Sequence, residues 1–273
     1  MLRLLRVLFA FLSLAVICAS LARAEDVSPI PQVADQWRFS VTPYAWLPSI
    51  NSTLSYKDRY IDTAHVTTNN IISNLKSGGM IAGEAHYGNW GIMGDMVSAT
   101  LQKDGSFPVS PAPGMVVSVS DKATVQATIV TGAATYTFLN NQDAYVDGLL
   151  GVRWVGMTAT LGLAASFGGP LQQVVDSKAM STADPIVGFK GRYRIADSTW
   201  YIPFYADIGS GGGTTNLTWQ AMLGVGTTIN KWIDVSLVYR NLYYDMDSSK
   251  TNGAGLLQKT TFQGPQLSAT FNF

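Results

Sequence analysis

The chain has 273 residues and no formal net charge, and only 13% of its residues are charged whereas 47% are hydrophobic. Charged residues make up roughly 25% of an ordinary soluble domain, and a net charge of zero gives no compositional argument for binding nucleic acid. Aromatic residues reach 11%, which is enough apolar area to exclude a disordered chain. Glycine, serine, threonine and asparagine replace the missing charge, a mixture that suits β-strands with one lipid-facing and one small, polar face.

Residues 1–24 have the pattern of a secretory signal peptide. Arg3 and Arg6 supply the positive start, residues 7–19 form an apolar run, and Ala22 and Ala24 occupy the small-residue positions of a cleavage site. A single membrane anchor is the alternative, but the apolar run is shorter than the ~20 residues that a spanning helix needs. Cleavage after Ala24 is therefore predicted.

The rest of the chain is predicted to hold a short leader and one domain. The only cysteine, Cys18, lies in the signal peptide, so neither disulfides nor thiol chemistry are expected in the mature protein. Residues 25–35 read as a periplasmic leader. Residues 36–273 contain no run of 18 apolar residues, and a β-barrel is the other structure that satisfies its backbone in lipid.

Alternation of apolar and polar residues predicts about ten strands in this domain. In the first of them Trp37 and Phe39 alternate with Arg38, and residues 48–56 prolong the same strand. Eight or twelve strands remain open, because residues 48–56 or 116–122 could be divided or paired differently. The predicted fold class is all-β, an antiparallel up-and-down transmembrane β-barrel.

The connections between the predicted strands alternate between long and short. They are 57–77, 88–89, 103–115, 140–143, 166–182, 196–198, 209–215, 230–231 and 247–257. Transmembrane barrels have short periplasmic turns, longer extracellular loops and an even number of strands. A soluble β-sandwich has no reason to alternate its loop lengths in this way, so we expect a Gram-negative outer-membrane protein.

The last strand is two-faced, and the printed sequence stops on an aromatic residue. Leu267, Ala269, Phe271 and Phe273 share one face, and small or polar residues share the other. In a membrane barrel this apolar face would contact lipid, with Phe273 in the aromatic girdle at the interface. We expect these four residues to act as an assembly signal and the strand to close the barrel by pairing with the first one.

Charged residues on the strands fall on the face opposite the aromatic residues, which predicts that they point into the lumen. The predicted lumen charges are Arg38, Glu84, Asp95, Asp147, Arg153, Lys190, Arg192, Arg194, Asp207, Asp234 and Arg240. A charge on the lipid face at the midplane would cost ~2–4 kcal/mol. Ten strands enclose little more than their own side chains, so paired charges that fill the interior are the first interpretation. A narrow pore for ions or small solutes, lined by the basic cluster Lys190, Arg192 and Arg194, is the alternative.

Aromatic residues near strand ends are predicted to form girdles at the two membrane interfaces. They are Trp37, Tyr87, Trp90, Trp154, Trp200, Trp219, Trp232, Phe271 and Phe273. Packing of these rings in a soluble core would require a second sheet, which the polar inward face does not supply.

Several short stretches are similar to small proteobacterial outer-membrane barrel proteins of the OmpA/OmpW-like kind. They are Thr42–Pro48, Asp184–Gly188, Gly191–Arg194, Tyr205–Gly209, Thr218–Gln220, Val238–Arg240 and Gly264–Phe273. The resemblance implies contact with outer-membrane lipid and lipopolysaccharide, transit with periplasmic chaperones and insertion by the barrel-assembly machinery, which reads a terminal strand that ends in Phe. It implies no particular activity, and the oligomeric state is open.

Catalysis is the sharpest alternative function, because barrel enzymes that modify lipids or peptides exist. His65 lies near Asp62 in the first long connection, and His86 follows Glu84 on an inward face. Neither comes with a nucleophile motif or a metal-spaced set of ligands, so no catalytic residue, metal or cofactor is predicted, and His86 is expected to belong to the interior hydrogen-bond network. A soluble secreted β-protein is the remaining alternative.

Overall fold

The computed structural model describes residues 28–56, 59–112, 115–165, 172–211, 213–247 and 256–273. Its strands are β1 (Trp37–Trp46), β2 (Ser49–Tyr56), β3 (Arg59–Val66), β4 (Leu75–Tyr87), β5 (Trp90–Ala112), β6 (Met115–Asn140), β7 (Ala144–Ala165), β8 (Gln172–Arg194), β9 (Trp200–Gly209), β10 (Thr215–Asn230), β11 (Ile233–Asp247) and β12 (Leu256–Asn272). One short helix, α1 (Thr68–Asn74), precedes β4. No helix in the described part of the chain is long and apolar enough to cross a membrane.

The strands form a closed antiparallel barrel of ten strands, which confirms the predicted fold class. Each strand from β4 to β12 pairs with the next. β1 pairs with β4 on one side and with β12 on the other, which closes the sheet. At the seam, the backbone N–H of Phe39 donates to Phe273 at 3.2 Å and the N–H of Phe273 donates to Phe39 at 2.9 Å. Closure leaves no sheet edge in the wall, so the backbone groups of the strands are paired with one another.

β1 and β2 together make one barrel strand, as the sequence predicts for residues 48–56. Both pair with β12, β1 through Trp46 opposite Gln266 and β2 through Ser49 opposite Gln263. The strand is interrupted between them at Leu47 and Pro48, where proline has no N–H to donate. Within this interruption the N–H of Leu47 still donates to the carbonyl of Pro265 at 3.0 Å, so both segments stay alongside β12.

Three predicted loops are wrong in their bounds. Residues 57–77 contain β3, which pairs with β2, and the helix α1. Residues 103–115 are almost wholly strand, and β8 begins within 166–182 at Gln172. These segments have polar residues on both faces, so the period of two that marks a half-buried strand is absent although the backbone pairs.

The short connections, 88–89, 141–143, 195–199 and 231–232, all lie at one end of the barrel, which we call the short-turn end. Gly88 turns β4 into β5 with φ of 56°, a left-handed conformation that favours glycine. Residues 28–36, which contain no strand, lie at the same end, because the N–H of Gly88 donates to Ala34 at 3.0 Å. The leader therefore sits at the mouth of the barrel.

Gly226 on β10 provides a test of interior packing. It lies opposite Tyr201 of β9, and a Cβ at this position would overlap the buried Tyr201 ring. We expect Gly226→Leu to destabilise the barrel by about 1–3 kcal/mol through overpacking. Gly79→Leu is the matched control, since a Cβ there would meet nothing within 4 Å. Urea unfolding of the refolded variants measures both, and equal midpoints would contradict the packing shown here.

Candidate functional site

The barrel interior is the candidate functional site, because the alternation of each strand turns its polar side chains inward. Nearest the short-turn end is a group joined in a closed cycle of hydrogen bonds and ion pairs, which we call the polar ring. Its members come from β4, β6, β7 and β8 and are Glu84, His86, Thr137, Tyr145, Asp147 and Lys190.

Lys190 links the two carboxylates of the polar ring. Its ammonium forms an ion pair with Glu84 and lies 3.6 Å from Asp147. β8 and β4 stand on opposite sides of the barrel, so the pair with Glu84 crosses the lumen. His86 Nε2 lies 3.2 Å from Glu84 Oε2, and this contact places His86 in the interior hydrogen-bond network.

The hydroxyl groups close the other half of the polar ring. The hydroxyl of Tyr145 lies 3.4 Å from His86 Nδ1. Thr137 Oγ1 lies 3.1 Å from that same tyrosine oxygen and 2.6 Å from Asp147 Oδ1. Asp147 is fully buried, and a carboxylate in that position is stable only with such partners.

A second ion pair crosses the lumen further from the short-turn end. Arg240 of β11 donates from Nη2 to Asp95 Oδ2 of β5 at 2.8 Å, and its Nη1 donates to the hydroxyl of Tyr44 at 3.1 Å. Its remaining donors meet Gln220 Oε1 at 2.8 and 3.1 Å and Gln266 Oε1 at 3.3 Å. Every nitrogen of this buried guanidinium is therefore hydrogen bonded, which compensates for its loss of water.

Arg153 of β7 makes a third buried pair, with Asp207 of β9. The arginine also donates to Thr131 Oγ1 at 3.4 Å and Thr218 Oγ1 at 3.3 Å. Asp207 accepts a further bond from Tyr205 at 2.5 Å. Both charged groups have no exposed side-chain surface, so this part of the interior excludes water.

An apolar layer crosses the barrel further from the short-turn end than these pairs. It consists of Trp46, Val97, Ile129, Val155, Leu242 and Tyr244. The members from β5, β6 and β7 face those from β11 and β1 across the ring of strands, so their contacts span the lumen. The indole of Trp46 also lies against the guanidinium of Arg240, whose carbon is 4.7 Å from the ring centre.

The predicted lumen charges do not all share one environment. Asp234 of β11 pairs with Arg192 of β8 at 2.8 Å, whereas Arg194 donates to the carbonyl of Ser198 at 3.0 Å in the turn before β9. The three members of the predicted basic cluster thus have three different sets of partners. Arg38 makes no ion pair with any residue that the structure describes.

Sequence reasoning missed Asp184 and the apolar layer. Asp184 is fully buried on β8 and accepts from Thr215 Oγ1 at 2.9 Å. Asp184 occupies an even position of β8, as Lys190 and Arg192 do, so alternation could have placed it inward. It was missed because it directly follows a segment that was predicted to be a loop. Trp46 and Leu242 share the even positions of Arg38 and Arg240 on their strands, so alternation also placed them inward, but their apolar side chains resemble lipid-facing residues and were not recognised.

The other predicted sites lie on the outer surface or outside the described residues. Leu267, Phe271 and Phe273 are exposed on the outer face of β12, and Ala269 is half-buried between them. Their part in assembly remains a prediction. The cleavage positions Ala22 and Ala24, with the whole of residues 1–24, lie outside the described residues, as do residues 25–27 of the leader.

The second histidine, His65, has a polar neighbour. His65 on β3 contacts Asn51 of β2 through Nδ1, beyond the seam where β1 pairs with β12. Among the described residues no group of three or more His, Cys, Asp or Glu side chains is arranged to hold a metal ion.

Comparison with solved structures identifies the kind of fold. The chain is similar to the outer membrane protease OmpT of Escherichia coli, with a TM-score of 0.56 and 10% identity over 90% of this chain and 100% of that one. Matches at lower TM-score include Ail, the attachment invasion locus protein of Yersinia pestis (0.32; 13% identity; 88% and 100% covered). The translocator domain of the autotransporter NalP from Neisseria meningitidis is another (0.35; 9%; 86% and 88%).

The comparisons confirm the predicted resemblance to outer-membrane barrels at the level of the fold. No family model matches the chain, and no curated protein matches its sequence. An identity of 10% with the protease carries the barrel architecture and not the chemistry.

The Arg240 site predicts a large loss of stability from one substitution. Arg240→Met leaves the Asp95 carboxylate without its ion pair in a closed interior, which we expect to cost about 3–5 kcal/mol. Lys259→Met is the control, because Lys259 is largely exposed and lies 3.9 Å from Asp245, a pair worth about 0–1 kcal/mol. Adding Asp95→Asn to Arg240→Met should recover part of the loss. Urea unfolding measures all three, and an Arg240→Met variant as stable as the control would contradict this account.

Proposed function

We propose that the protein is an integral outer-membrane barrel whose lumen is closed within the wall. One observation carries the membrane part of this proposal: every strand of the barrel has large apolar side chains exposed on its outer face. Ile92, Leu150 and Leu223 are each more than 60% exposed. A continuous apolar belt of this kind is too large for a soluble monomer and has the composition of a lipid-facing surface.

The girdle prediction supports the same proposal. Trp37, Tyr87, Trp90, Trp200 and Trp232 are all exposed near the short-turn end, where aromatic rings would meet the membrane interface. Contact with outer-membrane lipid and lipopolysaccharide, and insertion by the barrel-assembly machinery, follow as parts of this proposal.

Four strands are longer than a membrane-spanning strand needs to be. β5, β6, β7 and β8 have 23, 26, 22 and 23 residues, whereas a tilted strand spans the bilayer in about 9–11 residues. Their excess length lies at the end away from the short turns. We infer that these strands project beyond the outer leaflet, so the closed barrel acts as a rigid support for an extracellular sheet.

A pore lined by the predicted basic cluster has less support. Lys190 and Arg192 are each committed to carboxylates across the interior, and the apolar layer lies between the short-turn end and the far ends of the strands. Solutes would have to break several buried pairs to pass. The protease among the structural neighbours shares only the fold, and we propose no catalytic activity from that likeness.

Leu150→Arg tests membrane insertion. Leu150 points outward from β7, and an arginine at the bilayer midplane costs ~2–4 kcal/mol, whereas a soluble protein tolerates arginine at an exposed position. We expect the variant to be depleted from the outer-membrane fraction and to lose heat-modifiable migration on gels. Leu150→Phe is the control and should insert normally. Full insertion of Leu150→Arg, or recovery of the unaltered protein without detergent, would overturn the membrane proposal.

Planar bilayers test the closed lumen. We expect the unaltered barrel to show no steady conductance. Replacing both Trp46 and Arg240 by alanine removes the centre of the apolar layer and of the ion pair beneath it, and should produce discrete openings. The control, Leu223→Ala with Leu237→Ala, shortens two exposed side chains on the outer face and should stay silent. Steady conductance by the unaltered protein would favour the pore.

A further inference from the structure

The lumen holds a cavity between the short-turn end and the closed centre. Its volume is about 510 Å³, within the range of about 300–1,000 Å³ found for small-molecule sites. Met93 and Met222 are among the apolar residues that line it, and Arg240 and Asp95 lie on its wall. The cavity is therefore large enough for a small ligand, and the closed centre leaves the short-turn end as its entrance.

Arg38 lines this cavity and is the exception among the interior charges. Its Nε and Nη2 are buried and have no hydrogen-bond partner among the described residues. These two donors form one edge of the guanidinium and point in the same direction, which is the fork that grips a carboxylate or phosphate with two parallel bonds. The guanidinium carbon lies 5.9 Å from the centre of the Tyr145 ring, so the aromatic face helps to hold it in place.

The nearby carboxylates are already committed to other cations. Glu84 pairs with Lys190 and His86, and Asp234 pairs with Arg192. Arg38 lies opposite His86 in the pairing of β1 with β4, a neighbour that supplies no negative charge. Arg38 thus has no counter-ion among the described residues, and an unpaired charge whose nitrogens are buried is costly.

The wall beside Arg38 is rich in hydroxyl groups. Where β11, β12 and β1 meet, the cavity is lined by Ser40, Thr42, Ser236, Ser268 and Thr270. The hydroxyls of Thr42 and Thr270 lie 2.9 Å apart. Side chains of this kind both donate and accept, and they suit a ligand that carries hydroxyl groups of its own.

The leader occupies the mouth of the same cavity. Pro29 and Ile30 are buried although they belong to no strand, and both line the cavity. Within the described part of the chain, few side-chain hydrogen bonds hold this stretch: Arg192 donates to the Pro29 carbonyl at 3.3 Å, Asn140 donates to the Pro31 carbonyl at 2.9 Å, and the Ser28 hydroxyl accepts from the Ile30 N–H at 3.2 Å. A segment held by so few contacts can move aside at modest cost.

We propose that this cavity binds a small hydroxylated organic anion, whose carboxylate or phosphate pairs with the free edge of Arg38 and whose hydroxyl groups meet the serine and threonine wall. Pro29 and Ile30 cover the site when it is empty and withdraw when the anion enters. The closed centre makes this a binding site with one entrance rather than a passage.

Calorimetry on the folded protein in detergent tests the site with three probes: gluconate, glucose 6-phosphate and neutral glucose. We expect both anions to bind and glucose to fail. Arg38→Met should weaken the binding of both anions about tenfold or more, and Arg38→Lys should restore part of it, because lysine keeps the charge and loses the fork. Lys259→Met, which removes a cation far from the cavity, should bind as the unaltered protein does.

A second part of the experiment tests the covering role of the leader. Ile30→Gly weakens the cover, so the apparent affinity for both anions should rise several-fold. An unchanged affinity would overturn the covering role. Absence of anion binding, equal binding of glucose, or equal binding by Arg38→Met when gel migration shows it folded would overturn the site itself. These outcomes do not depend on membrane location, because the measurement is made in detergent.

Discussion

A charge that points into a narrow, closed barrel has to find its partner inside that barrel, and much of this structure follows from that constraint. Lys190 meets Glu84 and Arg240 meets Asp95 across the lumen, because strands on opposite sides of a ten-stranded ring are close enough for their side chains to touch. The pairs are stable because further hydrogen bonds satisfy the remaining donors and acceptors. The same pairs that neutralise the interior charges therefore also occupy part of the lumen, and they connect strands on opposite sides of the barrel.

The inside and outside of the wall are governed by opposite rules, and strand alternation satisfies both. On β7, Arg153 is fully buried while Leu150 beside it is largely exposed, the reverse of a soluble core. This arrangement suits the nonpolar medium that the proposed membrane location would provide around the belt. Beyond the belt, β5 to β8 continue for more residues than a tilted strand needs to span a bilayer. In the function proposed above, the closed centre and the long strands belong together: the barrel forms a rigid base from which the sheet projects.

Arg38 departs from the pairing rule at the place where the interior is least filled. The cavity, the uncommitted guanidinium edge and the buried Ile30 occur together at the short-turn end. Polar groups kept without partners at a structural cost mark sites of function more often than sites of stability. The contrast with Arg240, whose nitrogens are all hydrogen bonded, indicates that the fold can satisfy an interior arginine when stability alone is at stake.

The sequence by itself determined the barrel. Its alternation, its sorting of charges from aromatic residues and its alternation of long and short connections are local properties, and they predicted the fold class, a count of about ten strands and the closing role of the last strand. It could not decide the bounds of β3 and β8, because a strand with two polar faces has no period to read. Only the tertiary structure decided which interior charges meet and that Trp46 and Leu242 pack in one apolar cluster. Pairing across a barrel joins residues far apart in the chain, and the stagger of the strands sets which of them lie at the same height.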